Sequence, residues 1–146
     1  MGYQESMMQQ SAVRWFNLQY PEYQGLLFAV PNAGRRDVKQ IHTKYGTKFV
    51  CTGGARLKAE GMVAGVSDLI LMVANDEYHG LCLETKTEER TFGKNGHINS
   101  KKTYQSTEQK EWQQKVERQG YKYVVYRSVE DFMYIVSDYL RKVKGK

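Results

Sequence analysis

Apolar residues recur along this chain with two periods, one typical of helices and the other of strands. Between residues 5 and 20 they fall on one helical face, and Pro21 then ends the predicted helix. Between residues 121 and 126, aromatic and β-branched residues are enriched as on a strand. The pattern predicts helices over residues 5–20, 55–60, 106–119 and 128–140, and strands over residues 26–30, 65–71, 81–86 and 121–126. This order, αβαββαβα, predicts an α/β fold with a mixed four-stranded sheet flanked by helices.

Turn and capping residues separate these elements. Ser106 and Gln109 match a capping box at the start of a helix, and residues 75–77 fit a hairpin turn. Two polar segments carry no apolar periodicity. Residues 35–54 are predicted to form a loop or short helix, and residues 87–105 a mobile loop.

Length and composition indicate one domain. A chain of 146 residues with 40% hydrophobic content can bury one core, and no linker or repeat divides it, so residues 1–146 are predicted to form a single domain. No apolar run reaches about eighteen residues, so no membrane span is expected. Cys51 and Cys82 match no zinc spacing, and residues 1–5 lack the features of a signal peptide. These features predict a reducing, cytoplasmic location.

The net charge of +6 favours a polyanionic partner such as nucleic acid. Cations also solubilise ordinary surfaces, so charge alone leaves both interpretations open. Some cations stand in the two polar segments, where they are candidate phosphate contacts, with solvated loop charge as the alternative. The candidate DNA-binding residues are Arg35, Arg36, Lys39, Lys94, Lys101 and Lys102.

Acidic and basic side chains stand on two of the predicted strands. Asp68 opens one apolar run, and Glu84 and Lys86 stand two residues apart on another, so strand periodicity points the latter two to one face. Carboxylate oxygens suit Mg²⁺, the Thr85 carbonyl is a further candidate ligand, and a lysine can orient an attacking water. The pattern indicates a metal-dependent phosphodiesterase site. The alternative is a surface Glu–Lys pair and an aspartate that caps a strand.

Several motifs follow one another along the chain around these residues. Residues 55–61 precede residues 65–69, residues 78–81 precede residues 84–86, and residues 106–112 precede Gly120 and a last strand. From Glu5 to Leu140 the sequence resembles the virus-type replication-repair nuclease (VRR-NUC) domain of the stand-alone phage type, a branch of the PD-(D/E)xK nuclease superfamily. The resemblance implies a restriction-endonuclease-like fold and cleavage of DNA with Mg²⁺ or Mn²⁺. It also implies that Asp68 and Glu84 bind the metal and that Lys86 is the catalytic lysine.

The resemblance bears on three further positions. Glu5 best matches an acidic residue on the family's first helix that approaches the metal. Gln109 matches a Ser-x-x-Gln motif of the family, which implies a place in the catalytic site, although the capping box also explains this residue. Ser67 stands where the family has proline in Gly-x-Pro-Asp, and this departure should loosen the turn without moving Asp68.

The sequence as a whole predicts a DNA endonuclease. Stand-alone members of the family resemble dimeric enzymes that cleave branched DNA, so the expected partners are structured or branched duplex DNA and a second copy of the chain. If the chain is phage-encoded, it would act in the host cytoplasm. The alternatives are a monomeric nickase or end-processing nuclease, and a non-catalytic nucleic-acid-binding module with the same fold. Tyr121, Tyr123 and Tyr126 are interpreted as packing residues rather than as base-stacking residues.

Overall fold

A mixed four-stranded sheet organises the larger part of the chain in a computed structural model, which describes residues 2–31, 38–51 and 54–145. The chain divides into one unit of Met1–Val30 and Gly65–Lys146 and another of Pro31–Ala64. A segment as short as the second unit rarely folds alone without a disulfide or a metal. That the whole chain is a single domain stays a prediction.

The larger unit holds the predicted elements other than the helix over residues 55–60, and it holds them in the predicted order. Its helices are α1 (Tyr3–Gln19), α3 (Thr107–Arg118) and α4 (Val129–Arg141), and its central strands are β1 (Leu27–Ala29), β4 (Leu69–Leu71), β5 (Leu81–Thr85) and β8 (Lys122–Tyr126). The strands lie in the order β1-β4-β5-β8. The two pairs formed by β4 are antiparallel, and β5 pairs with β8 in parallel, so the sheet is mixed as predicted.

Helices cover both faces of this sheet. Tyr123 and Tyr126 are an odd number of residues apart on β8 and therefore point to opposite faces. The ring of Tyr123 packs against Trp112 of α3, whereas the ring of Tyr126 packs against Phe132 of α4. The core on the α4 side also includes Phe16 of α1, which is fully buried. This arrangement leaves the α3 face for a more polar set of side chains.

The prediction of a loop over residues 87–105 was wrong. The segment contains strands β6 (Glu88–Phe92) and β7 (Ile98–Lys102), which pair in an antiparallel hairpin. The backbone hydrogen bonds of a hairpin do not require apolar alternation, and Gly96 supplies a positive φ of 71° in the turn. The hairpin therefore lacks the periodicity by which strands are recognised in sequence.

The smaller unit contains a second hairpin that the sequence did not predict. Strands β2 (Val38–Thr43) and β3 (Gly46–Cys51) pair antiparallel within the segment that was expected to be loop or short helix. Gly46 has a φ of 127°, and Thr43 Oγ1 donates to its carbonyl at 2.8 Å. The helix α2 (Gly54–Ala59) follows, as predicted for residues 55–60. No helix in the described part of the chain is long and apolar enough to cross a membrane.

Candidate active site

Strand pairing brings Asp68 and Glu84 together. Leu69 pairs with Leu83 across β4 and β5, so Asp68, the residue just before β4, lies next to Glu84, near the end of β5. The backbone N–H of Thr85 donates to Asp68 Oδ2 at 2.8 Å, and Val30 N donates to the Asp68 carbonyl at 3.0 Å. Asp68 is 5% exposed and Glu84 is 2% exposed. Two buried carboxylates therefore share one end of the paired strands.

Ser67, the residue before Asp68, makes a hydrogen bond that spans Asp68. Ser67 is fully buried, and its hydroxyl donates to the carbonyl of Leu69 at 3.1 Å. Serine hydroxyls that bond to nearby backbone groups favour turns. That Ser67 loosens the turn relative to proline stays a prediction.

Gly65 allows this turn to approach helix α3. Its φ is +86°, and a Cβ added there would lie 2.3 Å from the carbonyl oxygen of Glu108 and 2.8 Å from the backbone nitrogen of Gln109. Only glycine satisfies both the conformation and the contact. The close approach sets the loop that carries Asp68 against the first turn of the helix that carries Gln109.

Besides Asp68, the side chains of Gln109, Lys86 and Tyr123 lie close to the carboxylate of Glu84. Gln109 Nε2 donates to Oε1 at 2.7 Å, and Lys86 Nζ lies 3.6 Å from the same oxygen. The hydroxyl of Tyr123 donates to Oε2 at 3.4 Å. The Lys86 side chain is 13% exposed, so its ammonium is only partly hydrated. The strand period thus predicted the Glu84–Lys86 neighbourhood correctly.

The charges in this cluster balance only while Glu84 holds a proton. Burial, and then the negative charge of Asp68, raises the pKa of Glu84 from 4.5 to about 8, whereas Lys86 lowers it. The single ammonium of Lys86 therefore does not offset two ionised carboxylates. A divalent cation could take the place of the proton on Glu84, and the hard oxygens of Asp68 and Glu84 are the donors that Mg²⁺ and Mn²⁺ prefer.

Thr85 and Glu5 are the two other residues that were predicted to bind the metal. Thr85 stands between Glu84 and Lys86, and its side-chain hydroxyl donates to Tyr126 at 2.6 Å, but the role of its carbonyl stays a prediction. Glu5 lies in the first turn of α1 and lines a cavity of about 490 Å³ with Thr87 and Thr103. Within residues 2–31, 38–51 and 54–145, no three His, Cys, Asp or Glu side chains form one potential metal-binding group. The placement of Glu5 on the metal therefore also stays a prediction.

The predicted DNA contacts are only partly within the described residues. Arg35 and Arg36 lie outside them. The backbones of Lys39 and Lys101 lie on β2 and β7, with side chains that also fall outside the description. Lys94, in the β6–β7 turn, and Lys102, on β7, are exposed. Their contact with DNA stays a prediction.

The sequence did not predict that the hydroxyl of Tyr123 contacts Glu84. We expected Tyr123 to be a packing residue, and its ring does pack against Trp112. Its hydroxyl also contacts Glu84, a candidate metal ligand. The contact could have been predicted only from the parallel pairing of β5 with β8. This pairing places Tyr123 opposite Cys82 and on the same face of the sheet as Glu84. Pairing between strands so distant in sequence cannot be deduced from one chain.

Comparison with known proteins supports the fold. No protein-family model matches the chain, and no curated protein matches it. A solved structure described as "VRR_NUC domain protein" superposes with a TM-score of 0.67 at 22% identity, over 98% of this chain and 93% of that one. At this identity the likeness concerns the fold, and it confirms the predicted α/β, restriction-endonuclease-like architecture. The chain therefore has the fold of a VRR_NUC domain protein.

Proposed function

We propose that this protein is a Mg²⁺- or Mn²⁺-dependent DNA endonuclease that hydrolyses phosphodiester bonds. The observation that carries the proposal is the convergence of Asp68, Glu84, Lys86 and Gln109 at one end of the β4–β5 pair. Two carboxylates that are almost fully buried cost stability unless a cation or a proton compensates them. A divalent cation bound by the two carboxylates would offset the loss of stability. The fold shared with a VRR_NUC domain protein agrees with such a site.

Each residue in the cluster has a distinct task under this proposal. Asp68 and Glu84 would hold the metal, with Asp68 oriented by the Thr85 N–H and Glu84 oriented by Gln109. A bound Mg²⁺ or Mn²⁺ would supply positive charge at the phosphate and lower the pKa of a water. The Lys86 ammonium, held beside Glu84, would orient the attacking water or stabilise charge that develops on the phosphate oxygens.

The proposed substrate is structured or branched duplex DNA, and the proposed assembly is a homodimer. Both rest on the family resemblance, and the net charge of +6 supports a polyanionic substrate. A two-fold dimer would present two sites to opposite strands. A monomeric nickase or end-processing nuclease is the second enzymatic candidate.

A non-catalytic binding module is the rival from another class. Such a module needs cationic side chains on its surface, but binding nucleic acid does not require two buried carboxylates next to a lysine. The burial of Asp68 and Glu84 therefore favours the enzyme.

The test is cleavage of a four-way junction, a flap and a linear duplex by purified protein at one salt concentration, with Mg²⁺, Mn²⁺ or EDTA. We expect metal-dependent cutting that is lost in Glu84→Gln and Lys86→Ala, with DNA binding retained. Lys110→Ala, which changes an exposed lysine on α3, is the matched control and should cut like wild type. Equal cutting by wild type and Lys86→Ala would assign the activity to a contaminant or another site. Sedimentation of the same samples measures the oligomeric state.

A further inference from the structure

Tyr123 lies beneath the candidate site, on the face of the sheet that α3 covers. It pairs with Cys82 across β5 and β8, and Glu84 is two residues beyond Cys82 on the same face. The side chain is 7% exposed, and its hydroxyl lies 3.4 Å from Glu84 Oε2. The separation is longer than the usual distance of about 2.7–2.8 Å, as catalytic hydrogen bonds often are before a ligand binds.

Gln105 lies beside the Tyr123 hydroxyl and opposes the effect of Glu84 on its pKa. Burial, and then the negative charge of Glu84, raises the pKa of Tyr123, whereas the hydrogen bond from Gln105 lowers it, as a donor to the phenolic oxygen does. Gln105 Nε2 also donates to Gln113 Oε1 at 2.9 Å, which holds the Gln105 amide in place. The Tyr123 hydroxyl donates to Glu84 Oε2, and Gln105 is a second polar neighbour of the same hydroxyl.

We propose that Tyr123 is a positioning residue that fixes the orientation of the Glu84 carboxylate for metal binding. Gln109 holds Oε1 and Tyr123 holds Oε2, so the carboxylate cannot rotate about its terminal bond without losing one of them. A carboxylate oxygen has two lone pairs, so Oε2, which accepts from Tyr123, can use the second for a metal. This inference rests on the proposed function, because it assumes that Glu84 is a metal ligand.

The hydroxyl can be tested separately from the ring. The ring packs against Trp112 with centroids 6.1 Å apart, and a phenylalanine would keep that contact. Tyr121→Phe makes the same chemical change in a half-buried side chain whose ring contacts His79, so it is the matched control.

The experiment measures Mn²⁺ affinity by calorimetry without DNA, the metal concentration for half-maximal cutting, and the melting temperature. Loss of a hydrogen bond to a metal ligand typically weakens metal affinity about 10–100-fold. We expect Tyr123→Phe to weaken Mn²⁺ binding about 10-fold and to raise the metal requirement equally, with a melting temperature like that of Tyr121→Phe. Gln105→Leu should act in the same direction and less strongly, which keeps the test available if Tyr123→Phe folds poorly.

The possible failures can be told apart. Wild type that binds Mn²⁺ and cuts, with a Tyr123→Phe variant of unchanged Mn²⁺ affinity, would overturn the role of Tyr123 and leave the proposed function intact. Wild type that neither binds Mn²⁺ nor cuts would overturn both.

Discussion

Gln109 joins the first turn of helix α3 to the carboxylate of Glu84. Its Nε2 donates to Glu84 Oε1 at 2.7 Å, and its Oε1 accepts from the backbone nitrogen of Ser106 at 2.9 Å. The sequence left a local cap and a catalytic role as alternatives for this residue, but the structure has both contacts in one side chain. The cap fixes the amide oxygen, so the amide nitrogen is directed at Glu84.

Mutations can show whether the contact of Gln109 with Glu84 matters beyond the helix cap. Gln109→Met removes the donor to Glu84 together with the oxygen that accepts from Ser106 N. Ser106→Ala removes only the other bond of the cap, from Gln109 N. We expect Ser106→Ala to lose about 1 kcal/mol of stability in urea unfolding and to cut within a few-fold of wild type. Gln109→Met should lose about 10–100-fold in cutting rate. If both variants lose stability and activity in parallel, Gln109 acts only as a cap.

The raised pKa of Glu84 predicts how the stability of the metal-free protein depends on pH. The native state holds the proton more tightly than the unfolded chain, whose pKa is about 4.5. The stabilisation is therefore complete below about pH 4.5 and is lost as the pH rises through about 8. Urea unfolding in EDTA should show this decline in wild type, measured as the free energy of unfolding at several pH values.

Glu84→Gln is the control for that titration. The amide carries no charge to desolvate, and its oxygen can still accept from Gln109. The variant should therefore lack this part of the decline and should be more stable than wild type above pH 8, although it cannot cut. A pH profile of stability identical to that of wild type would show that another group titrates.

Local periodicity accounts for the parts of the molecule that the sequence predicted. The strand period placed Glu84 and Lys86 on one face, and the capping pattern placed Ser106 at the start of α3, where both hydrogen bonds of the capping box form. These predictions depend on residues only two or three positions apart, and geometry over such a distance is fixed by the element itself.

The features that the sequence did not predict depend on distant pairing or on backbone bonds. The Tyr123–Glu84 contact requires the parallel pairing of β5 and β8, whose crossover includes a hairpin and a helix. The β6–β7 hairpin is polar and is anchored through backbone groups. Arg127 donates to the carbonyl of Thr103 at 2.8 Å, and Thr103 N donates to the carbonyl of Thr87 at 3.1 Å. Backbone hydrogen bonds leave no hydrophobic pattern in the sequence.

Gly65 should tolerate alanine less well than a glycine of the same conformation in open space. Gly25 has a φ of +88° but nothing within 4 Å of an added Cβ, whereas at Gly65 the Cβ would meet the backbone of Glu108. Gly25→Ala should cost about 1–2 kcal/mol, the strain of a left-handed alanine. Gly65→Ala should cost more, and it should also reduce cutting because it moves Asp68 relative to Gln109. If Gly25→Ala and Gly65→Ala lose the same stability in urea unfolding, the turn at Gly65 can move away from α3 without a further loss of free energy.

The exposed lysines of the β6–β7 hairpin should contribute to DNA affinity through phosphate contacts. Lys94 and Lys102 are exposed, and the hairpin begins two residues after Lys86, so DNA bound at the site would pass near the base of the hairpin. Each lost phosphate contact lowers the slope of log affinity against log salt by about 0.9. Lys94→Gln and Lys102→Gln should therefore bind more weakly at low salt and show slopes about one unit smaller, measured by fluorescence anisotropy in EDTA. Lys115→Gln, which changes an exposed lysine on α3, should keep the wild-type slope. If all three variants share one slope, the hairpin lysines are solvated charges and DNA follows another path to the carboxylates.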